Sequence, residues 1–267
     1  MTPRVLMMIL MAYSANAWAE TAFCQQADAT LAKHRMDMYD SGSYSGVFDE
    51  NKLAAATAAL RSSLKQQLQR AQSWQCGYPT AQQNGLHIIQ SPDKKVRIFA
   101  WDAETGGRMH DFSSMVQLKD ARGKTRLHDW DNDRRGSCLP YRIRQDTLPP
   151  YGTVYLAQWE CVYSTTLRAQ MAIWYGISGS RLTPRNLFYY QHAAHSFITY
   201  YYASFTAKNM GKRGFFEYGN KTHTLDFPVA LQQQNEDGMR IIALTKNRLH
   251  YRFNGKYFVY RRYSGLK

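Results

Sequence analysis

Hydrophobic residues change their spacing once along this chain, and the change divides it. Between Asp49 and Trp74, the residues Leu53, Ala56, Leu60, Leu64, Leu68 and Ala71 recur at steps of three and four, the spacing that lines up side chains on one helix face. Arg61, Lys65, Gln66 and Gln69 fall away from that stripe. Asp49 stands where an amino-terminal cap is wanted, and Gly77 with Pro79 predicts the helix end just after Cys76. A shorter helix, roughly Gln25 to Tyr39, precedes it, and the Ser, Gly and Tyr residues of Ser41 to Gly46 form the connection.

From Leu86 onward the period is two. Val96, Ile98 and Ala100 alternate with Arg97, Phe99 and Trp101, and Ser91 to Lys94 turn the chain back from a strand at Leu86 to Gln90. Met109 to Lys119, Thr153 to Tyr163 and Leu167 to Ile177 repeat the extended pattern, with turns at Asp120 to Lys124 and Ser178 to Ser180. Near the carboxyl end, Asn254 and Gly255 are a type I′ turn pair. A two-residue loop there predicts Phe253 opposite Lys256, Tyr251 opposite Phe258 and Leu249 opposite Tyr260. Roughly ten to twelve strands on short turns, without βαβ alternation, predict a mainly β protein: an antiparallel sandwich, barrel or small propeller-like sheet array with an N-terminal helical pair.

Ahead of the helices, a charged start at Arg4, an apolar run from Val5 to Ala12 and the small residues Ala17 and Ala19 around Trp18 read as an export signal. The apolar run is too short for a permanent transmembrane anchor. No lipid-attachment pattern precedes Cys24, so a soluble mature chain is expected to begin near Glu20. The organisation is then a signal peptide at 1–19, a helical segment at 20–80 and an antiparallel β domain at 81–267, with a periplasmic or secreted location.

Cysteine usage agrees with export. All four, Cys24, Cys76, Cys138 and Cys161, follow the cleavage point, and an even number in an oxidising compartment points to two disulfides. Of the three pairings, Cys24 with Cys76 and Cys138 with Cys161 is favoured, because each closes a local segment. On the chain-entropy model these loops contribute about 4 and 3.5 kcal/mol. Zinc-type Cys-x-x-Cys spacing is absent.

Charge narrows the partners. The formal net charge is +14 at pH 7, and stays at about +13 once the signal's Arg is removed. A basic exported protein meets anionic envelope polymers, such as glycan or lipopolysaccharide, before it meets nucleic acid, so no nucleic-acid partner is expected. The alternative is that the excess charge only keeps an aromatic-rich surface in solution. Oligomeric state is not written in the pattern.

Ser91 to Phe112, reading SPDKKVRIFAWDAETGGRMHDF, resembles a pattern of uncharacterised secreted bacterial β-rich proteins, in which an Asp and Lys turn leads into an R-I-aromatic-x-W-D strand and a T-G-G turn. The closing YRFNGKYF also resembles the last hairpin of such proteins. The resemblance implies a shared β-rich fold and carries no catalytic residues onto Trp101, Asp102, Gly106 or Gly107. Residue by residue, the glycines supply positive φ at a turn and Asp102 accepts from turn N–H groups. The alternative is a ligand-binding edge made of Trp101, Asp102, Arg108 and His110.

Other chemistry is thinner. Asp129, Asp131, Asn132 and Asp133 have the alternation of a calcium loop, but Arg134 takes the place of its turning Gly and Pro140 that of its bidentate Glu; a solvated turn with Asp to Arg pairing is expected. His192 and His195 lack a third ligand nearby, so no metal or other cofactor is expected. Ser62 to Lys65 and Ser91 to Lys94 match Ser-x-x-Lys without the motifs that accompany it. Gly123, Lys124 and Thr125 make a hairpin turn. The densest aromatic run is Phe188, Tyr189, Tyr190, Phe197, Tyr200, Tyr201, Tyr202 and Phe205, followed by Lys208, Lys212 and Arg213, while Arg261 and Arg262 follow the last hairpin. Tyr faces beside Arg and Lys suit sugars and anionic groups.

Three functions are therefore expected in order. The first is a non-catalytic exported protein that binds an anionic envelope component. The second is an envelope hydrolase acting on cell-wall or glycan substrate, with acids drawn from Asp102, Glu104, Glu160 or Glu217. The third is a periplasmic interaction or assembly protein, which an exposed apolar face on the Asp49 to Trp74 helix would favour.

Overall fold

A computed structural model describes residues 3–106, 110–130, 138–203, 215–234 and 240–264. The chain forms two compact units, Met1–Leu86 and His87–Lys267.

The first unit is helical. Helix α1 runs from Pro3–Ser41 and α2 from Glu50–Leu68, joined through a 3-10 turn at Ser43–Ser45. Asp49 caps α2, its Oδ1 accepting from the Lys52 N–H at 3.0 Å. Leu53, Ala56, Leu60, Leu64 and Leu68 are buried, so the periodic stripe faces the core. The helix ends earlier than its pattern predicts: α2 stops at Leu68 and a 3-10 turn, Ala71–Gln75, follows. Pro79 does not terminate that helix but opens a short one, α3 (Pro79–Gln83), where its missing N–H costs nothing. The helical unit, with α3 in it, runs to Leu86.

Three long-range ties close the unit. A disulfide joins Cys24 to Cys76. Buried Asp28 on α1 accepts from the Thr80 and Ala81 N–H groups at 3.0 and 2.8 Å, which satisfies two orphan donors of α3. Buried Arg35 donates to the Asn84 carbonyl at 3.3 Å. Its guanidinium lies against Gly85, where any Cβ would stand 3.1 Å away on a backbone with φ of +85°.

The second unit is a stack of three sheets. The first holds β1 (His87–Gln90), β2 (Val96–Asp102), β3 (Phe112–Lys119) and β4 (Thr125–Asp129) in sequence order. The middle sheet is ordered β11 (Phe197–Ala203), β7 (Leu167–Ser178), β6 (Gly152–Val162), β5 (Cys138–Leu148), with β8 (Arg181–Pro184) paired to β7. The third runs β10 (Ala193–His195), β9 (Phe188–Tyr190), β15 (Phe258–Ser264), β14 (Arg240–Phe253), β13 (Thr224–Gln234), β12 (Glu217–Gly219).

Strand alternation explains the stacking. On β6 and β7, Tyr155, Ala157, Trp159, Ala169, Met171, Ile173 and Tyr175 join Val96, Ile98, Val116 and Leu118 of the first sheet in one core. The intervening Val154, Leu156, Ala172 and Trp174 join Phe188, Leu225, Phe227 and Phe258 of the third sheet in another. Along β6 and β7, both faces of the middle sheet are therefore withdrawn from water. Cys138 and Cys161 are direct partners across β5 and β6 and are bonded.

The fold is thus mainly β with an N-terminal helical pair, and a layered sheet array rather than a closed barrel among the described residues. Two details depart from expectation. The last hairpin pairs Phe253 with Phe258 and Tyr251 with Tyr260, a four-residue loop in place of a two-residue one. Asn254 Oδ1 accepts from the Lys256 and Tyr257 N–H groups at 3.0 and 2.8 Å, and this side-chain turn replaces the I′ geometry. The third sheet also contains a parallel pair, β15 with β9.

Candidate functional site, a basic and aromatic sheet face

Of the predicted ligand edge, the structure brings two members together. Asp102 Oδ2 lies 2.5 Å from His110 Nδ1, and Asp102 Oδ1 accepts from the Glu104 N–H at 2.9 Å. The His110 ring stacks on Phe112 with centroids 5.7 Å apart. Trp101 is fully buried, its ring within the core. Arg108 and Gly107 lie outside the described residues, as do Asp131, Asn132, Asp133, Arg134 and Arg135.

The Asp and His pairing recurs. Asp146 Oδ2 is 2.7 Å from His223 Nδ1 and also accepts from the Tyr218 hydroxyl, while Asp226 Oδ1 is 2.5 Å from His250 Nδ1. Burial and the Asp146 carboxylate hold the Tyr218 phenol far above its usual range, and hence neutral. Sequence reasoning missed the Asp146 cluster, whose members lie 72 and 77 positions apart. Repetition at three places marks the pairing as a way this unit fastens its strands.

The acids considered for hydrolysis are spread over three sheets. Asp102 and Glu104 close β2, Glu160 on β6 pairs with Arg168 at 2.9 Å and accepts from the Tyr202 hydroxyl at 3.3 Å, and Glu217 on β12 faces Arg248 at 3.4 Å. No group of three or more His, Cys, Asp or Glu suited to a metal occurs among the described residues. His195, considered as a ligand, stacks on Tyr190 at 3.9 Å instead. The apolar stripe of α2 is buried, so the feature that would favour a docking helix is absent there; among the residues whose burial is described, the exposed large apolar side chains of this unit, Met36, Tyr39, Tyr44, Val47 and Phe48, sit at the end of α1 and in the following connection.

What remains is the outer face of the third sheet. Leu225, Phe227, Phe258 and Phe188 point to the core, so alternation turns Asp226, Arg248, His250, Arg252, Arg261 and Tyr189 outward. Register aligns them in two rows: Glu217, Asp226, His250, Arg261, and Gly219, Thr224, Arg252, Val259, Tyr189. His250 is taken by Asp226 and Arg248 by Glu217. Arg252, Lys256 and Arg261 are exposed, and among the described residues no carboxylate pairs with them. Tyr189 stacks on Tyr257 at 5.5 Å, and the Lys256 ammonium sits 5.2 Å from the Tyr257 ring centre. The Tyr151 hydroxyl, donating to the Lys256 carbonyl at 2.8 Å, braces the loop.

The aromatic run divides as its alternation implies. Phe188, Tyr200 and Tyr202 are buried, whereas Tyr189, Phe197 and Tyr201 are exposed. Phe205, Lys208, Lys212 and Arg213 fall outside the described residues.

Charge is unevenly shared. The β unit carries 27 Lys and Arg against 14 Asp and Glu, whereas the helical unit carries 7 against 6. Nearly all of the positive field thus originates in the sheets. The two disulfides are those of a protein that matures outside the cytoplasm, and no helix among the described residues is long and apolar enough to cross a membrane. Comparison with protein-family models, curated proteins and solved structures finds no match to this chain.

Proposed function

We propose that this is an exported, non-catalytic protein that binds an anionic envelope component, a glycan or lipopolysaccharide, through its β unit. The observation that carries the reading is the outer face of the third sheet, where Arg252, Lys256 and Arg261 have no carboxylate partner among the described residues, beside the Tyr189 and Tyr257 stack. Cations left uncompensated next to exposed Tyr189 and half-buried Tyr257 attract anionic sugars twice, by charge and by stacking on the ring faces. The net charge of the β unit supports it by drawing such polymers in.

Retention of purified mature protein on peptidoglycan and on lipopolysaccharide, at low and high salt, tests the reading. Retention should fall with salt, and the combined Arg252→Ser, Lys256→Ser and Arg261→Ser variant should elute with the unretained fraction while keeping its circular dichroism. Absence of salt-sensitive retention on both materials would overturn it.

A further inference from the structure

The middle sheet ends on one side at β5, the edge strand. Ile143 on β5 points into the core shared with the first sheet, so its neighbours Arg142 and Arg144 project together from the opposite face. Two cations two residues apart on one strand face repel each other, and such a pair is normally neutralised by a carboxylate. Here it is not. Neither arginine has a salt bridge among the described residues, and the acid nearest along the strand, Asp146, is already engaged by His223, Tyr218 and the Thr147 N–H. Burial and the Arg142 charge both push the Arg144 guanidinium below its usual value, and its Nε is buried with no hydrogen-bond partner.

Directly across the ladder from Arg142 stands Gln158 on β6. This side chain is fully buried. Its Nε2 donates to the Phe216 carbonyl at 3.2 Å, which fixes the amide, and its Oε1 is buried without a donor. An orphaned acceptor of this kind is costly unless something supplies a hydroxyl or N–H.

We infer that Arg142, Arg144 and Gln158 form a binding site for a phosphorylated sugar. Two guanidiniums offer two forks of donors, which suits a phosphoryl group with three terminal oxygens better than a carboxylate with two. Gln158 Oε1 accepts from a hydroxyl and so selects the sugar that carries the phosphate. The arginine pair is relieved of its repulsion when the anion binds. This site lies on the middle sheet, whereas the polymer-binding face lies on the third, and the two stand or fall separately.

Calorimetric titration of the mature protein with glucose 1-phosphate, inorganic phosphate, glucuronate and glucose, at constant ionic strength, tests the assignment. Saturable binding is expected for both phosphates, tightest for glucose 1-phosphate, with glucuronate weaker and glucose silent. Combined Arg142→Gln and Arg144→Gln should weaken phosphate binding by at least about tenfold, as loss of paired charge-assisted bonds implies. Gln158→Leu should erase the preference for the sugar phosphate over inorganic phosphate. If the glutamine double variant fails to fold by circular dichroism, Arg142→Lys with Arg144→Lys, which keeps the charge and loses the forks, should still bind phosphate several-fold more weakly. Binding unchanged in the arginine variants, or no response to either phosphate, would overturn the inference. Loss of polymer retention with phosphate binding intact would overturn only the earlier reading.

Discussion

His128 on β4 is a titratable side chain with both ring nitrogens buried and unpartnered. It packs edge-on to Trp130 at 6.4 Å. Burial first, and then the Arg181 charge, push its pKa below the ordinary 6.5, against a smaller opposing pull from Asp129. The folded protein therefore keeps this ring neutral while the unfolded chain protonates it. Stability from this residue is complete above the unfolded value and is lost as the pH falls toward the folded one. The urea midpoint should decline as the pH falls below about 6.5, and His128→Phe should flatten that decline. At this scale the sequence placed Asp102 and His110 in one predicted edge, and the two stand together, with Asp102 also accepting from the Glu104 N–H. Strict alternation assumes one wet face, whereas every residue of β2 from Val96 to Trp101 is buried. Arg142, Arg144 and Gln158 carried no signal, since nothing local announces which strand will end a sheet.

Elements were legible in proportion to their regularity. The stripe from Leu53 to Leu68 and the paired strands β6 and β7 fall where their periods put them, and the favoured cysteine pairing is the one formed. The strand β5 was harder to see: Pro140 stands at its bulge, and Arg142 and Arg144 occupy positions that an apolar alternation would fill. In the last hairpin, Asn254 fixed the turn through its side chain and moved the pairing by two residues. A shift of two keeps every side chain on its face, so the core survives the error in register. The Cys24 to Cys76 bond belongs to this scale as well, because it clamps α1 to the segment that follows α2. Its loop spans 52 residues, so Cys24→Ser with Cys76→Ser should cost the helical unit about 4 kcal/mol on the chain-entropy model. Thermal unfolding followed at the helical circular dichroism band should show the midpoint fall, and an unchanged midpoint would refute the clamp.

For the whole molecule, the layered order of the sheets was not readable from pattern. The strand β9 lies parallel to β15 and the two are joined through most of the third sheet, an arrangement set by contacts distant in sequence. Net charge was visible as a total, but its concentration on one unit follows only once the boundary after Leu86 is known. The same architecture buries the backbone of the two inner strands, β6 and β7, between their neighbours. In deuterium exchange, the amides of Leu156 to Trp159 and Ala169 to Tyr175 should therefore be the last to take up label, at a rate governed by global rather than local opening. Early labelling there would mean that one outer layer lifts away on its own, and the protein would then behave as a shell around a separable lid.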